Sequence, residues 1–176
     1  MNSKDRKKNS LYGVLTTIAL IALDQFTKLL AIVKLKDQEP FILIEGVFEL
    51  RYLENRGAAF GIFQNQLWFF ILMTIVIVTA VIYYYRITPD DKKYRPIRFC
   101  MILLIAGAVG NCIDRVFRKF VVDFLYFSLI DFPIFNVADI YVTVTFVLFV
   151  ILMFFYYKDE DFLVYSGKHR KEIKNK

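Results

Sequence analysis

The chain has 176 residues, 57% of them hydrophobic and 18% aromatic, with 23% charged and a formal net charge of +6. A mean hydropathy of +0.47 excludes a disordered chain and lies outside the balance of an ordinary soluble domain. Seven Gly, four Pro and two Cys exclude a collagen-like pattern, a disulfide scaffold and a tetrathiolate zinc site, and the one His, His169, leaves little imidazole for a metal.

In chain order, residues 11–33 are apolar except for Asp24 and Lys28 and follow Lys4, Arg6, Lys7 and Lys8. A cleaved signal peptide shares that pattern, but no small-residue cleavage site follows Leu23 and the apolar pattern resumes at Leu29, so a retained transmembrane helix is expected over 11–33. Residues 41–60 mix apolar runs with alternation broken by Gly46, which reads as two short strands or a hairpin lying on the membrane surface. Residues 67–85 are nineteen without a charge; at about 1.5 Å per residue they reach roughly 28 Å, enough to cross a bilayer, and predict a helix over 67–86. A third helix is expected over 97–115, charged at its start only by Arg98, a side chain long enough to snorkel to the interface. A short aromatic-rich connection over 117–135 carries Asp123, and the uncharged run 140–157 predicts a fourth helix over 138–157. The expectation is therefore one mainly α, integral membrane domain over 1–176. It has four transmembrane helices, a small β-hairpin on one membrane face and basic tails at 1–10 and 158–176. No internal repeat supports a transporter built from duplicated halves.

Lys and Arg accumulate on the cytoplasmic side of membrane proteins. The N-terminal tail has four, residues 86–98 five and the tail from Lys158 six, whereas residues 34–56 have four offset by five acids and residues 115–119 have three. Both termini are expected in the cytoplasm. The positive charge then reflects topology and contact with anionic membrane lipids, and nucleic acid is not an expected partner.

Ionisable residues at membrane depth are functional candidates by default. The topology gathers Asp24, Lys28, Asn55, Arg56, Asn111, Asp114, Arg115, Asp123, Asn136 and Asp139 at the outer end, with almost no polar groups in the inner halves of the helices. Asn136 and Asp139 are i,i+3, as are Asn111 and Asp114, so each pair can share a helix face. Asp24 and Lys28, at i,i+4, fit an intrahelical ion pair. Arg115 beside Asp114 fits either a helix-end anchor or a substrate contact. Asp123 and Asp139 stand in apolar sequence, with Lys119 the one base at helical spacing. Two carboxyls brought together there would share a proton, one serving as base and the other as acid against an amide. A Ser-His design fails because His169 lies in the tail, and Cys100 and Cys112 have no His partner and read as packing residues. Ala106, Gly107, Ala108 and Gly110 read as a close helix contact.

Five ordered blocks carry a resemblance: Asp24-Gln25-Phe26-Thr27-Lys28, Asn55-Arg56-Gly57-Ala58-Ala59-Phe60, Gly110-Asn111-Cys112-Ile113-Asp114-Arg115, Val121-Val122-Asp123-Phe124 and Phe132-Pro133-Ile134-Phe135-Asn136-Val137-Ala138-Asp139. Over nearly its whole length the chain resembles the bacterial lipoprotein signal peptidases, or signal peptidase II. The resemblance implies an intramembrane aspartyl peptidase of the bacterial inner membrane that removes the signal peptide from a diacylglyceryl-modified prolipoprotein, cutting just before the modified Cys, with no metal or cofactor. It implies Asp123 and Asp139 as the catalytic pair, with Asn55, Asn111, Arg115 and Asn136, together with Gly57, orienting the pair or binding substrate. Asp24, Lys28 and Asp114 match motif positions that either support the site or touch substrate. The implied fold places a β-cradle over 41–60, and a monomer is expected. Two departures are a short connection from Asp123 to Asn136 and a charged tail of nineteen residues, expected on the inner-leaflet surface. The alternatives are a proton-coupled transporter, which should place polar groups in the inner halves of its helices, and a scaffold, which should tolerate Asp→Asn at 123 and 139.

Overall fold

Among the described residues the chain runs through four long helices, α1 (Ser3–Leu35), α2 (Leu67–Ile87), α3 (Arg95–Arg118) and α4 (Val137–Phe155). The structure, a computed structural model, describes residues 3–57, 64 and 66–165, with backbone alone for residues 3–8. Residues 58–63, 65 and 166–176, including Ala58 to Phe60 of the second motif block and most of the charged C-terminal tail, lie outside the described residues.

Among the described residues, α2, α3 and α4 are each long and apolar enough to cross a membrane, with hydropathies of 2.4, 1.8 and 2.4. α1 is not in that set; its apolar run carries Asp24 and Lys28. The helices are apolar on the outside: α2 buries no residue at all, and Leu72, Ile75, Val76, Phe146 and Phe154 are exposed. In water this surface would drive association, whereas in lipid it is ordinary.

α3 is the central helix, packed against α1, α2 and α4. Its small residues make the approach to α4 and α1 possible. A Cβ on Gly107 would lie 2.6 Å from the Ala138 carbonyl oxygen, and one on Gly110 would lie 2.6 Å from Asp24 Oδ2. Ala106 and Ala138 are fully buried at the same contact.

At the end where α1 and α3 finish and α2 and α4 begin, a three-stranded antiparallel sheet forms from β1 (Phe41–Ile44), β2 (Phe48–Asn55) and β3 (Val121–Tyr126), in that order. Gly46 turns β1 into β2 with a φ of +66°, a conformation open to Gly without strain. The hairpin expected over 41–60 is therefore β1 and β2, ending at Asn55 as far as the residues are described. β3 was not anticipated. It begins three residues after α3, which closes on Lys119 in the left-handed region at φ 70°, a C-terminal geometry that turns the chain sharply back. Val122 and Phe124 on β3 pack with Ala31 of α1, Leu50 and Tyr52, fastening the sheet to the bundle.

Two expectations about the opposite end need correction. Arg98 does not snorkel. Its side chain is buried, donating to the Tyr85 and Thr88 carbonyls at 3.2 Å each and resting 4.0 Å over the Tyr85 ring. It satisfies carbonyls left open where α2 ends. Nor is that half of the bundle bare of polar groups, since Thr88, Arg98 and Asp161 are buried near the helix ends and Thr145 is buried midway along α4. The first part of the C-terminal tail is also packed rather than free: the 3-10 turn Asp159–Tyr165 is held by the Lys93–Asp161 ion pair, and Tyr165 and Thr88 hydroxyls meet at 2.9 Å. Thr88, Arg98 and Asp161 close helix ends, whereas Thr145 joins α4 to α3 by donating to the Cys100 carbonyl at 3.3 Å.

Candidate active site

Helix α4 starts with a reciprocal cap. Asn136 accepts the Asp139 backbone N–H on its side-chain oxygen at 3.1 Å, and Asp139 Oδ2 accepts the Asn136 backbone N–H at 3.0 Å. The i,i+3 spacing of these residues thus comes from a cap, which satisfies two open helix N–H groups, rather than from a shared helical face. The cap also fixes both side chains. Asn136 Nδ2 is left to donate to Asp123 Oδ1 at 2.6 Å and to Asn111 Oδ1 at 3.1 Å.

The second carboxyl comes from β3, where Asp123 is 1% exposed. Its Oδ2 accepts Asn55 Nδ2 at 2.9 Å from the last residue of β2, and Asn55 Oδ1 in turn accepts the Gly57 backbone N–H at 2.9 Å. Asp139 Oδ1 accepts Asn111 Nδ2 from α3 at 2.8 Å. Every carboxyl oxygen of Asp123 and Asp139 therefore receives an N–H. Burial, reinforced by the charge of Asp139, raises the Asp123 carboxyl from its ordinary value to about 7, against the opposing effect of the Asn55 and Asn136 donors. A carboxyl held there carries a proton at neutral pH as often as not.

Both carboxyls line one cavity of about 700 Å³ with Asn55, Gly57, Asn111 and Arg115. Its remaining walls are apolar, contributed by the 127–135 segment, among them Phe127, Ile130 and Phe132, and by Ile140, Val142 and Val144 on the side of α4. The segment is shaped by the Leu125–Phe135 bridge, which pairs backbone on β3, and by Tyr126 donating to Asp131 at 2.6 Å. Arg115 donates to the Gly57 carbonyl at 3.0 Å and lies 4.4 Å over the Phe70 ring.

The remaining expected residues lie beneath this cavity rather than in its wall. Lys28, Asp24 and Asp114 are each 0% exposed, and Lys28 Nζ sits 3.0 Å from Asp24 and 3.1 Å from Asp114. Asp24 Oδ1 also accepts the Ala138 N–H at 3.0 Å, and Asp114 Oδ2 the Val122 N–H at 3.1 Å, so the cluster pins α1 to the start of α4 and α3 to β3. Lys28 then donates to Asn111 Oδ1 at 2.8 Å and joins the cluster to the cavity.

Two members of the cluster were not singled out from the sequence. Arg118 pairs with Asp114 and donates to Gln25 Oε1 at 3.1 Å, while Gln25 Nε2 donates to Asp24 Oδ2 and the Gly110 carbonyl, both at 3.1 Å. The i,i+4 spacing of Asp114 and Arg118 was a readable signal. Gln25 had none beyond its place next to Asp24.

Residues 16–155 match the family described as Signal peptidase (SPase) II. The chain belongs to the signal peptidase II family. Among its curated relatives is the lipoprotein signal peptidase of Streptococcus pyogenes serotype M5 (strain Manfredo), 40% identical over 151 residues that cover 85% of this chain and 95% of the relative. The lipoprotein signal peptidase of S. pyogenes serotype M3 (strain SSI-1) matches to the same extent, 40% over 151 residues. A bacterial membrane enzyme solved by the in meso method at 2.3 Å superposes with a TM-score of 0.73 at 33% identity, covering 81% of this chain and 87% of that one. A second, at 1.9 Å, gives 0.71 at 33% identity, covering 82% and 93%. The protein is accordingly a peptidase of a bacterial membrane family.

Proposed function

We propose that this signal peptidase II is an aspartic endopeptidase of the bacterial inner membrane. It removes the signal peptide from diacylglyceryl-modified prolipoproteins, cutting just before the lipid-modified Cys. The observation that carries this reading is the pair Asp123 and Asp139, drawn from a strand and a helix start, lining one cavity with N–H donors on all their oxygens.

The raised carboxyl of Asp123 suits it to the acid role, with Asp139 as the base. Ionised Asp139 takes a proton from water, the water oxygen bonds to the scissile carbonyl carbon, and protonated Asp123 donates its hydrogen bond to the carbonyl oxygen. The tetrahedral intermediate then collapses. Its C–N bond breaks as the proton held by Asp139 passes to the leaving amine of the modified Cys, and the signal peptide departs with a new carboxyl end. Nothing in these steps requires a metal or cofactor. The guanidinium of Arg115 orients Gly57 at the cavity edge, and Asn55, Asn111 and Asn136 hold the two carboxyls in register.

The setting supports a lipid-bearing substrate. With α1 crossing as a fourth span and both termini in the cytoplasm, the sheet and cavity stand at the outer leaflet. Apolar walls from Ile130, Phe132, Val142 and Val144 suit acyl chains and an apolar signal helix. The enzyme works as a monomer in this reading. The test is mass analysis of products from a diacylglyceryl-modified prolipoprotein peptide and its unmodified counterpart, using purified protein in detergent. A single cut just before Cys, in the modified peptide only, supports the proposal. Cleavage elsewhere or without lipid preference contradicts it.

A further inference from the structure

Lys28 is fully buried and its ammonium makes three contacts, to Asp24, Asp114 and Asn111. An ammonium has three donors and no acceptor, so the end of the Asn111 amide that meets it has to be the oxygen. That choice propagates. With Oδ1 turned to Lys28 and to Asn136 Nδ2, the Asn111 NH2 is turned to Asp139 Oδ1 at 2.8 Å.

We infer that Lys28 is a positioning residue that sets the direction of the Asn111 amide, and through it ensures that Asp139 faces a hydrogen-bond donor rather than a carbonyl oxygen. The inference rests on the two-aspartate reading above and deepens it. Lys28 reaches no reacting atom, being buried outside the cavity wall. Its charge is already matched by two carboxylates, so the contact with Asn111 is what remains for it to contribute to the site. Without a donor at position 28, Asn111 Oδ1 keeps only the 3.1 Å bond from Asn136 Nδ2, so the amide direction is set less strongly, and a turned-over amide would present an oxygen to Asp139 Oδ1 and cost it a donor.

The groups facing Asp139 are Asp123 from β3, Asn111 and Arg115 from α3, and the Asp24–Lys28–Asp114 cluster behind Asn111. A test has to leave Asp123 and Arg115 in place and keep the buried charges balanced. In a chain carrying Asp24→Asn and Asp114→Asn, the further change Lys28→Gln keeps an amide N–H for Asn111 Oδ1, and Lys28→Met keeps none. Both triple variants leave the partly exposed Arg118 without its Asp114 partner, and to the same extent, so the comparison between them is unaffected. The single Lys28→Gln and Lys28→Met variants are measured alongside, so the same comparison survives if the triple variants fail to fold.

Cleavage of a diacylglyceryl-modified prolipoprotein peptide is followed against pH, with thermal unfolding as the fold control. The Lys28→Met form should lose kcat by about tenfold to a hundredfold, with KM nearly unchanged. The Lys28→Gln form should return kcat toward the parent's value. Equal profiles for the Gln and Met forms at equal stability would overturn the inference and leave Lys28 a purely structural cation. Parent protein and Asp139→Asn run in the same assay: a parent that does not cleave, or an Asp139→Asn variant that cleaves like the parent, would instead overturn the two-aspartate reading.

Discussion

Asn136 holds Asp123 with one end of its amide, donating at 2.6 Å, while the other end caps α4 by accepting the backbone N–H of Asp139 at 3.1 Å. One side chain thus ties the strand that carries one carboxyl to the helix that carries the other. The two functions separate by substitution. Asn136→Ala should cost about 1 kcal/mol for the lost cap and lower kcat at least about tenfold. Asn136→Ser keeps an oxygen for the cap but no N–H for Asp123, so thermal unfolding should recover and kcat should not. Recovery of both would show that Asn136 acts on the cap alone.

The raised carboxyl of Asp123, at about 7, makes two pH predictions. The acid role needs the protonated form, so kcat should fall on the alkaline side through an apparent value near 7. For stability, the folded state binds a proton that the unfolded chain releases near 4. The folded state therefore holds more protons between about pH 4 and 7, and stability falls as pH rises through that window. Melting temperature in detergent measured from pH 4 to 8 should decline in the parent, and the decline should be smaller in Asp123→Asn. A parent curve that rises through this window would contradict the protonated Asp123.

Asp114 sits in a buried cluster with Lys28 and Arg118 and accepts the Val122 N–H. Removing one partner from a buried ion pair strands the others, which costs about 3–5 kcal/mol. Asp114→Ala should therefore unfold far more readily than Asp114→Asn, which keeps an oxygen for Val122. Both should lose stability before activity, unlike changes at Asp139. Equilibrium unfolding and single-turnover cleavage, measured on the same preparations, separate the two effects.

The contact of α3 with α1 and α4 leaves no room for a methyl group at Gly110, where a Cβ would lie 2.6 Å from Asp24 Oδ2, or at Gly107, where it would meet the Ala138 carbonyl at 2.6 Å. Gly107→Ala and Gly110→Ala should each destabilise by about 1–3 kcal/mol. Thermal unfolding in detergent reads this directly, and an unchanged midpoint would show that the helices have slack.

Much of the fold was legible because lipid imposes a strong pattern on sequence. The uncharged runs behind α2 and α4 and the break at Gly46 are local signals that need no tertiary information. The candidate pair was legible for a related reason: Asp123 and Asp139 stand in apolar sequence, with Lys119 the one base at helical spacing. β3 was not, because a six-residue run, apolar but for Asp123, that follows a helix reads equally as a strand, a helix remnant or a connection, and its partner β2 lies more than sixty residues away in sequence. Arg98 was misread for a similar reason. Whether a terminal Arg reaches lipid or turns back on a neighbouring helix end depends on where Tyr85 and Thr88 place their carbonyls, which the local pattern does not encode. The Lys28–Asn111 contact joins residues from two helices, and the i,i+4 spacing of Asp24 and Lys28 gave only half of it.

The measurement that bears most directly on the central claim is hydrolysis of a diacylglyceryl-modified prolipoprotein peptide by the parent, Asp123→Asn and Asp139→Asn, matched for folding by thermal unfolding. Cleavage by the parent, with both variants folded and reduced at least about a thousandfold, is the predicted result. A folded Asp123→Asn or Asp139→Asn variant that still cleaves at the parent's rate would contradict the two-aspartate mechanism.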